Sequence, residues 1–380
     1  MRMLIDCGAL ALHDRIERNR RVLIEDGVIR AIAAHMDAPA DATVIDARAH
    51  IVLPGFIDIH VHGAMDADTM DATPEALQTM ARFFAAHGVT GFLPTTMTAP
   101  RERIEAAIEN VKRTMAGPPA PGAARILGVH VEGPFINPKQ CGAQPVEFMR
   151  PADPHEYHPW LESGAVHLIT VAPEVDGAMH LIEDAQRFGV AVAIGHTDAT
   201  YAQAQAAFAA GANQATHTFN AMRGLHHREP GALGAVMAND AVYAQLICDN
   251  VHVHPAAMNV LYKCKGADRL VVITDAMEAT GLGDGEFTLG AQRVFVREGV
   301  ARLEGGALAG STLTMDAAFR NIIAATGCSL AEASRMCSAS PARAAGVGNR
   351  KGRIAPGYDA DLVILDAELR VVKTIVGGRA

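Results

Sequence analysis

The stretch "PGFIDIHVHG", residues 54–63, decides how the rest of the chain is read. Phe56, Ile57, Ile59 and Val61 give it the character of a strand, in which side chains alternate with period two. His60 and His62 therefore share one face, together with Asp58. Two imidazoles on a buried face are costly unless each is satisfied. Either hydrogen bonds satisfy them one ring at a time, or the pair chelates a metal ion.

Apolar runs recur down the chain and predict strands at 55–61, 91–95, 126–131, 166–171, 190–195, 214–217, 242–248 and 270–274. Ala-rich helical segments follow most of them, at 74–87, 101–116, 178–188 and 200–210. The first has Thr73 to cap it, Pro74 to open it and Gly88 to stop it. Eight strands alternating with helices indicate an α/β fold, a (β/α)8 TIM-like barrel. An open doubly wound sheet is the competing architecture, but no Gly-rich dinucleotide fingerprint follows the first strand. Residues 1–52 and 353–380 read as short strands with turns, including a hairpin signal at Asp26-Gly27. Neither end buries much alone, so the two are expected to form one small β-sandwich domain beside a barrel of residues 53–352. A short linker, "AGPPAPGAA", is expected at 116–124.

Barrels of this kind carry their chemistry at the C-terminal ends of the strands. Those ends hold His60 and His62, then Glu132, His196, His217 and Asp275. A lone strand-end histidine is usually a satisfied core residue. Six polar groups at equivalent positions make a site for zinc or another divalent transition metal. Other groups read as ordinary: Asp58 as support for the pair, "HEYH" at 155–158 as part of a proline-flanked loop.

Composition narrows the partners. A formal net charge of −9 argues against nucleic acid. No run of transmembrane length and no signal peptide is evident, which argues against a membrane. Six scattered cysteines without a CxxC pair fit a reducing cytoplasm.

The motifs "PGFIDIHVHG", "GVHVEGPF", "IGHTDA", "THTFNAM", "HHREPG" and "ITDAM" resemble, in order and over nearly the whole chain, those of the N-acetylglucosamine-6-phosphate deacetylases of the amidohydrolase superfamily. The resemblance implies a metal-dependent enzyme that removes acetate from an amino-sugar phosphate. It implies Glu132, His196 and His217 as main metal ligands, with His60 and His62 for a second ion, and Asp275 as catalytic acid/base. One or two ions per subunit are implied, zinc first and iron, cobalt or manganese as alternatives. It further implies substrate contacts from Asn220, Ala221 and His252, and from Arg228, donated to the phosphate across a homodimer interface. His227 beside it adds positive character, although Arg228 is also able to pair with Glu229. One departure stands out. Many relatives carry a histidine after the "EGPF" segment that reaches a sugar hydroxyl; here "KQCGAQP" puts Gln144 in its place, with Cys141 nearby.

Three other readings compete. Hydantoinases and dihydroorotases bridge two metals with a modified lysine after strand four, but "AVHLITVAPE" has no lysine. An N-acetylgalactosamine-6-phosphate deacetylase, or another deacylase of the same superfamily, shares the ligand set. A metal-free sugar-phosphate binding protein has no use for that set.

Overall fold

The computed structural model describes residues 1–118 and 120–379. Pro119, inside the linker expected at 116–124, and Ala380 lie outside the described residues.

Eight parallel strands follow one another around the barrel: Phe56–Val61, Val89–Thr96, Val129–Glu132, Val166–Val171, Ala191–Ile194, Gln214–Ala215, Tyr243–Ile247 and Leu270–Ile273. Most of their residues are buried on both faces, as parallel strands sheathed by helices must be. First and last strands meet at the rim, where the amide of Asp275 donates to the His60 carbonyl (2.9 Å) and that of His62 to the Ala276 carbonyl (2.8 Å). The buried Asp58 carboxylate reinforces the seam by accepting from the Thr274 hydroxyl and from the backbone of His60 and Thr274.

The helix Pro74–Ala86 shows how the sheath forms. Thr73 Oγ1 caps the amide of Ala76, Pro74 opens the helix, and Leu77, Met80, Ala81 and Phe84 fall on one buried face. Burying each large apolar side chain stabilises the fold by ~1.5–3 kcal/mol, so Leu77→Ala would open a costly gap against the barrel.

Three details differ from the sequence expectations. The third strand is broken into Arg125–Ile126 and Val129–Glu132. Gly128 breaks it, with φ +153° and the His167 ring packed where a Cβ would stand. The "HEYH" segment is not a loop: it lies in the helix Pro154–Glu162, which is capped by Asp153 and opened by Pro154. Lastly, Gly285–Leu289, Gln292–Arg297 and Val300–Leu303 form a separate antiparallel sheet.

Strands from both ends of the chain share one sheet, in the order Val371–Ile375, Leu362–Leu365, Ala42–Pro54, Arg2–Ala11, Ile16–Glu25, Val28–Ala33. The hairpin turn at Asp26-Gly27 has φ of +49° and +80°, the left-handed pair a two-residue hairpin favours. Ile5, Leu10, Val22, Ile24, Val52, Leu362 and Ile375 give this sheet a core of its own.

Candidate metal centre and active site

Six polar side chains meet at the rim, and each is delivered by a strand or the turn just after it. His60 lies within the first strand and Glu132 ends the third; His62 directly follows the first. His196, His217 and Asp275 have left-handed backbone, with φ of +47°, +24° and +53°. For a residue with a Cβ, such conformations cost on the order of 1–3 kcal/mol each and gather at functional sites. Here each turns the chain sharply as the strand ends. All six side chains are buried.

Their reactive atoms crowd together. Glu132 Oε1 lies 3.2 Å from Nε2 of both His196 and His217 and 3.4 Å from His60 Nε2. Glu132 Oε2 lies 3.2 Å from His62 Nε2, which is 3.3 Å from Asp275 Oδ1. Two triads are close enough to hold an ion each, His60–His62–Asp275 and Glu132–His196–His217.

The outer nitrogens of three rings have settled partners. His62 Nδ1 faces the Thr95 carbonyl (3.2 Å), His196 Nδ1 the Gln140 carbonyl (2.9 Å) and His60 Nδ1 the Gln245 amide oxygen (3.2 Å). Carbonyl oxygens only accept, so each Nδ1 carries the proton and donates it, leaving Nε2 with its lone pair turned inward. His60 Nε2 is buried without a hydrogen-bond partner. Inward imidazole lone pairs around two carboxylates, held by outward hydrogen bonds, form a donor set that fits a divalent transition metal.

The electrostatics agree. Burial pushes Glu132 upward, but the imidazoles of His60, His196 and His217 more than offset this and hold its carboxyl well below the usual range. Asp275 is likewise raised by burial and brought down, to about 2, by His60 and His62. Burial lowers His62, while Asp275 and Glu132 win and raise it well above its ordinary value. Without a cation, protons shared between imidazole and carboxylate balance the site, and metal binding displaces such protons.

A pocket opens above the cluster, lined by His62, Glu132, His196, His217 and Asp275 together with Gln144, Asn220, Ala221 and His252. His252 donates Nδ1–H to Asp249 (2.6 Å). Its Nε2 stays free. Gln144 accepts from the Thr98 amide (2.7 Å) and donates to Glu132 Oε2 (2.8 Å). His227 and Arg228 are not part of this pocket within one chain. They sit on an exposed loop, touching each other at 2.8 Å. Glu229 does not pair with Arg228; its carboxylate accepts instead from the amides of Tyr201 and Gly231.

Some site residues escaped the sequence reading. His130 lies edge-on to His60 at 4.6 Å, bonded to Thr95 and Thr170 and kept neutral by burial. Its signal was period two, because His130 and Glu132 share a strand face. Leu289, Leu308 and Met97 wall the pocket, and Gln245 orients His60. Nothing in local patterning marks these, since their partners are distant in sequence.

The profile of the amidohydrolase family matches residues 51–380, most of the chain. The chain belongs to the amidohydrolase family. Among amidohydrolases it is similar to the N-acetylglucosamine-6-phosphate deacetylase of Lysinibacillus sphaericus, with 41% identity over 94% of this chain and 92% of that one. It is also similar to the N-acetylgalactosamine-6-phosphate deacetylase of Escherichia coli O157:H7, with 40% identity over 95% and 94%. A solved amidohydrolase aligns with a TM-score of 0.93 at 35% identity, covering 100% of this chain and 98% of its own. It is a mutant N-acetyl-D-glucosamine-6-phosphate deacetylase of Mycobacterium smegmatis in complex with N-acetyl-D-glucosamine-6-phosphate. The barrel architecture expected from the strand pattern is thus that of the solved relative.

Proposed function

We propose that this amidohydrolase deacetylates N-acetylglucosamine 6-phosphate, giving glucosamine 6-phosphate and acetate. The observation that carries the proposal is the buried convergence of four imidazoles and two carboxylates beneath a pocket that His252 and Asn220 also line. Relatives that span nearly the whole chain and are named for this reaction support it.

Glu132, His196 and His217 are read as the ligands of the main ion, and His60 and His62 with Asp275 as those of a second. Zinc suits this nitrogen and oxygen set; iron, cobalt and manganese suit it too. When bound, the ion supplies Lewis acidity, lowering the pKa of water to about 7 and polarising the amide carbonyl. Asp275 takes the proton of the attacking water and returns it to the nitrogen as the C–N bond breaks. An amine leaves only once protonated, so that return is indispensable. Asn220, Ala221 and His252 orient the sugar phosphate, and Gln144 takes the place of the family histidine at the pocket wall.

The phosphate needs a cation, and no Lys or Arg lines the pocket among the described residues. This supports a homodimer in which Arg228, flanked by His227, reaches the neighbour's phosphate. A reducing compartment, the cytoplasm, suits six cysteines that are all free of disulfides. No helix among the described residues is long and apolar enough to cross a membrane.

A second reading has its own support, because a relative at 40% identity is named for the galactosamine epimer. Acetate release from a panel of N-acetyl hexosamines, each with and without the 6-phosphate, tests both. Turnover confined to the gluco 6-phosphate supports the proposal. Preference for the galacto epimer favours the second reading, and inertness of every phosphorylated member in metal-loaded protein sinks both.

A further inference from the structure

The resemblance puts Gln144 where many relatives carry a histidine for the sugar, yet its side chain is committed elsewhere. Its Oε1 accepts from the backbone amide of Thr98 at 2.7 Å, and its Nε2 donates to Glu132 Oε2 at 2.8 Å. Both partners have fixed polarity, since an amide N–H only donates and a carboxylate only accepts. The orientation of the Gln144 amide is therefore determined. The side chain is 5% exposed and Glu132 is 2% exposed, so water does not compete for either bond.

The consequence falls on Glu132. With Oε2 held by Gln144, Oε1 is the oxygen that faces His60, His196 and His217 at 3.2–3.4 Å. The loop bearing Gln144 also fixes a second ligand. The Asn137 amide donates to the His196 carbonyl, and the Gln140 carbonyl accepts from His196 Nδ1, both at 2.9 Å. Gln292, from the small antiparallel sheet, ties this loop down through the Ala143 carbonyl. One short loop thus orients two of the three ligands read as the main set.

We infer that Gln144 is a positioning residue for the metal centre: its amide bridges Thr98 to Glu132 and sets which carboxylate oxygen meets the ion. The inference rests on the metallohydrolase reading above. An imidazole carries an acceptor nitrogen and a donor N–H at a separation close to that of an amide oxygen and nitrogen. An imidazole placed at position 144 is therefore able to offer Thr98 and Glu132 the same polarity, which is what Q144H tests. A carboxylate at this position has no donor and would face Glu132 with like charge.

The test compares Q144H, Q144A and Q144E by chelator-competition titration with zinc and by steady-state kinetics, and records the visible spectrum of cobalt-substituted protein. Loss of a group that orients a ligand typically costs ~10–100-fold in metal affinity. Q144A and Q144E should show that loss together with a lower kcat, a changed cobalt spectrum and a KM shifted less than about threefold. Q144H should recover zinc affinity to within about threefold. Wild-type zinc affinity and an unchanged cobalt spectrum in Q144A, with only KM raised, would overturn the inference and leave Gln144 as a sugar contact. Q144E binding zinc as tightly as wild type would overturn it as well. A wild-type chain without affinity for zinc, manganese, iron or cobalt defeats the metallohydrolase reading first, and the role of Gln144 with it.

Discussion

Among the described residues, two largely buried clusters of ionisable side chains are built on opposite terms. Behind the barrel, Lys351 Nζ donates to Asp361 at 2.6 Å and to Asp359 at 3.0 Å, while Arg350 pairs with Asp359. The Gly377 amide donates to the Asp361 carboxylate, and the Gly55 amide to the Asp361 carbonyl. Two cations answer two carboxylates, and backbone donors take up remaining lone pairs. At the rim, two carboxylates face four imidazoles, of which His60 Nε2 has no hydrogen-bond partner. With neutral rings that set carries a charge of −2, which buried groups tolerate only when something balances it. A closed cluster is structural. An open one has the donor set for a divalent cation, whose two charges would match the two carboxylates.

The largest expected effect comes from denying the rim its cation. Chelation should abolish turnover, and added zinc or a similar ion should restore it. His196→Ala should lose both bound metal and activity, whereas His87→Ala, which leaves Asp316 paired with Arg320 away from the rim, should lose neither. Metal analysis beside acetate release checks this; full activity in rigorously metal-free protein breaks the comparison. Asp275→Asn is the next largest. The Glu132–His196–His217 triad remains, so the main ion should be retained while kcat falls ~10²–10⁴-fold, the usual worth of an acid/base. Wild-type turnover in this variant would make Asp275 structural.

The closed cluster should fail differently. Lys351→Met leaves two buried aspartates with Arg350 alone, and breaking a buried pair typically costs ~3–5 kcal/mol. The urea midpoint should drop, yet metal content and kcat of the folded fraction should stay unchanged. Adding Asp361→Leu should recover part of the loss. A Lys351→Met protein that keeps its stability but loses its metal would erase the distinction between the clusters.

Which parts of this were legible in sequence follows from the range of the interactions. Strand and helix signals are local, so all eight barrel strands and the Thr73–Pro74 helix start were readable. The polar strand ends were readable too, because the barrel converts position along each strand into a shared rim. What escaped depends on pairing across the fold. Asn239 and Tyr243 give no hint that Gln245 will orient His60, 185 positions away. Lys351, Asp359 and Asp361 carry no local mark of burial; they are buried where the strand Leu362–Leu365 pairs with Ala42–Pro54. The sheet of 285–303 did carry a local signal, a glycine between successive runs at Gly290 and at Gly299, where the structure has left-handed turns. Beside a strong eightfold pattern, that short alternation went unread.

The smallest effect extends the same rule to the surface. Arg228 is exposed and, among the described residues, has no carboxylate within ion-pair distance. An exposed cation costs little to leave unpaired, but it also gains from any anion brought to it. Guanidinium grips phosphate through two parallel hydrogen bonds, and such charge-assisted bonds are worth ~1.5–3 kcal/mol. Arg228→Ala should therefore raise KM for the 6-phosphate substrate roughly 10–100-fold, with metal content intact and an unphosphorylated analogue barely affected. A donated arginine adds a second signature. In the proposed homodimer, mixing Arg228→Ala chains with Asp275→Asn chains would give pairs in which one site has both its own Asp275 and the neighbour's Arg228. Part of the activity should return on mixing, and it should not return if Arg228 serves its own chain. Equal losses on phosphorylated and unphosphorylated substrates would mean that Arg228 only shapes its loop, and the phosphate would need another cation.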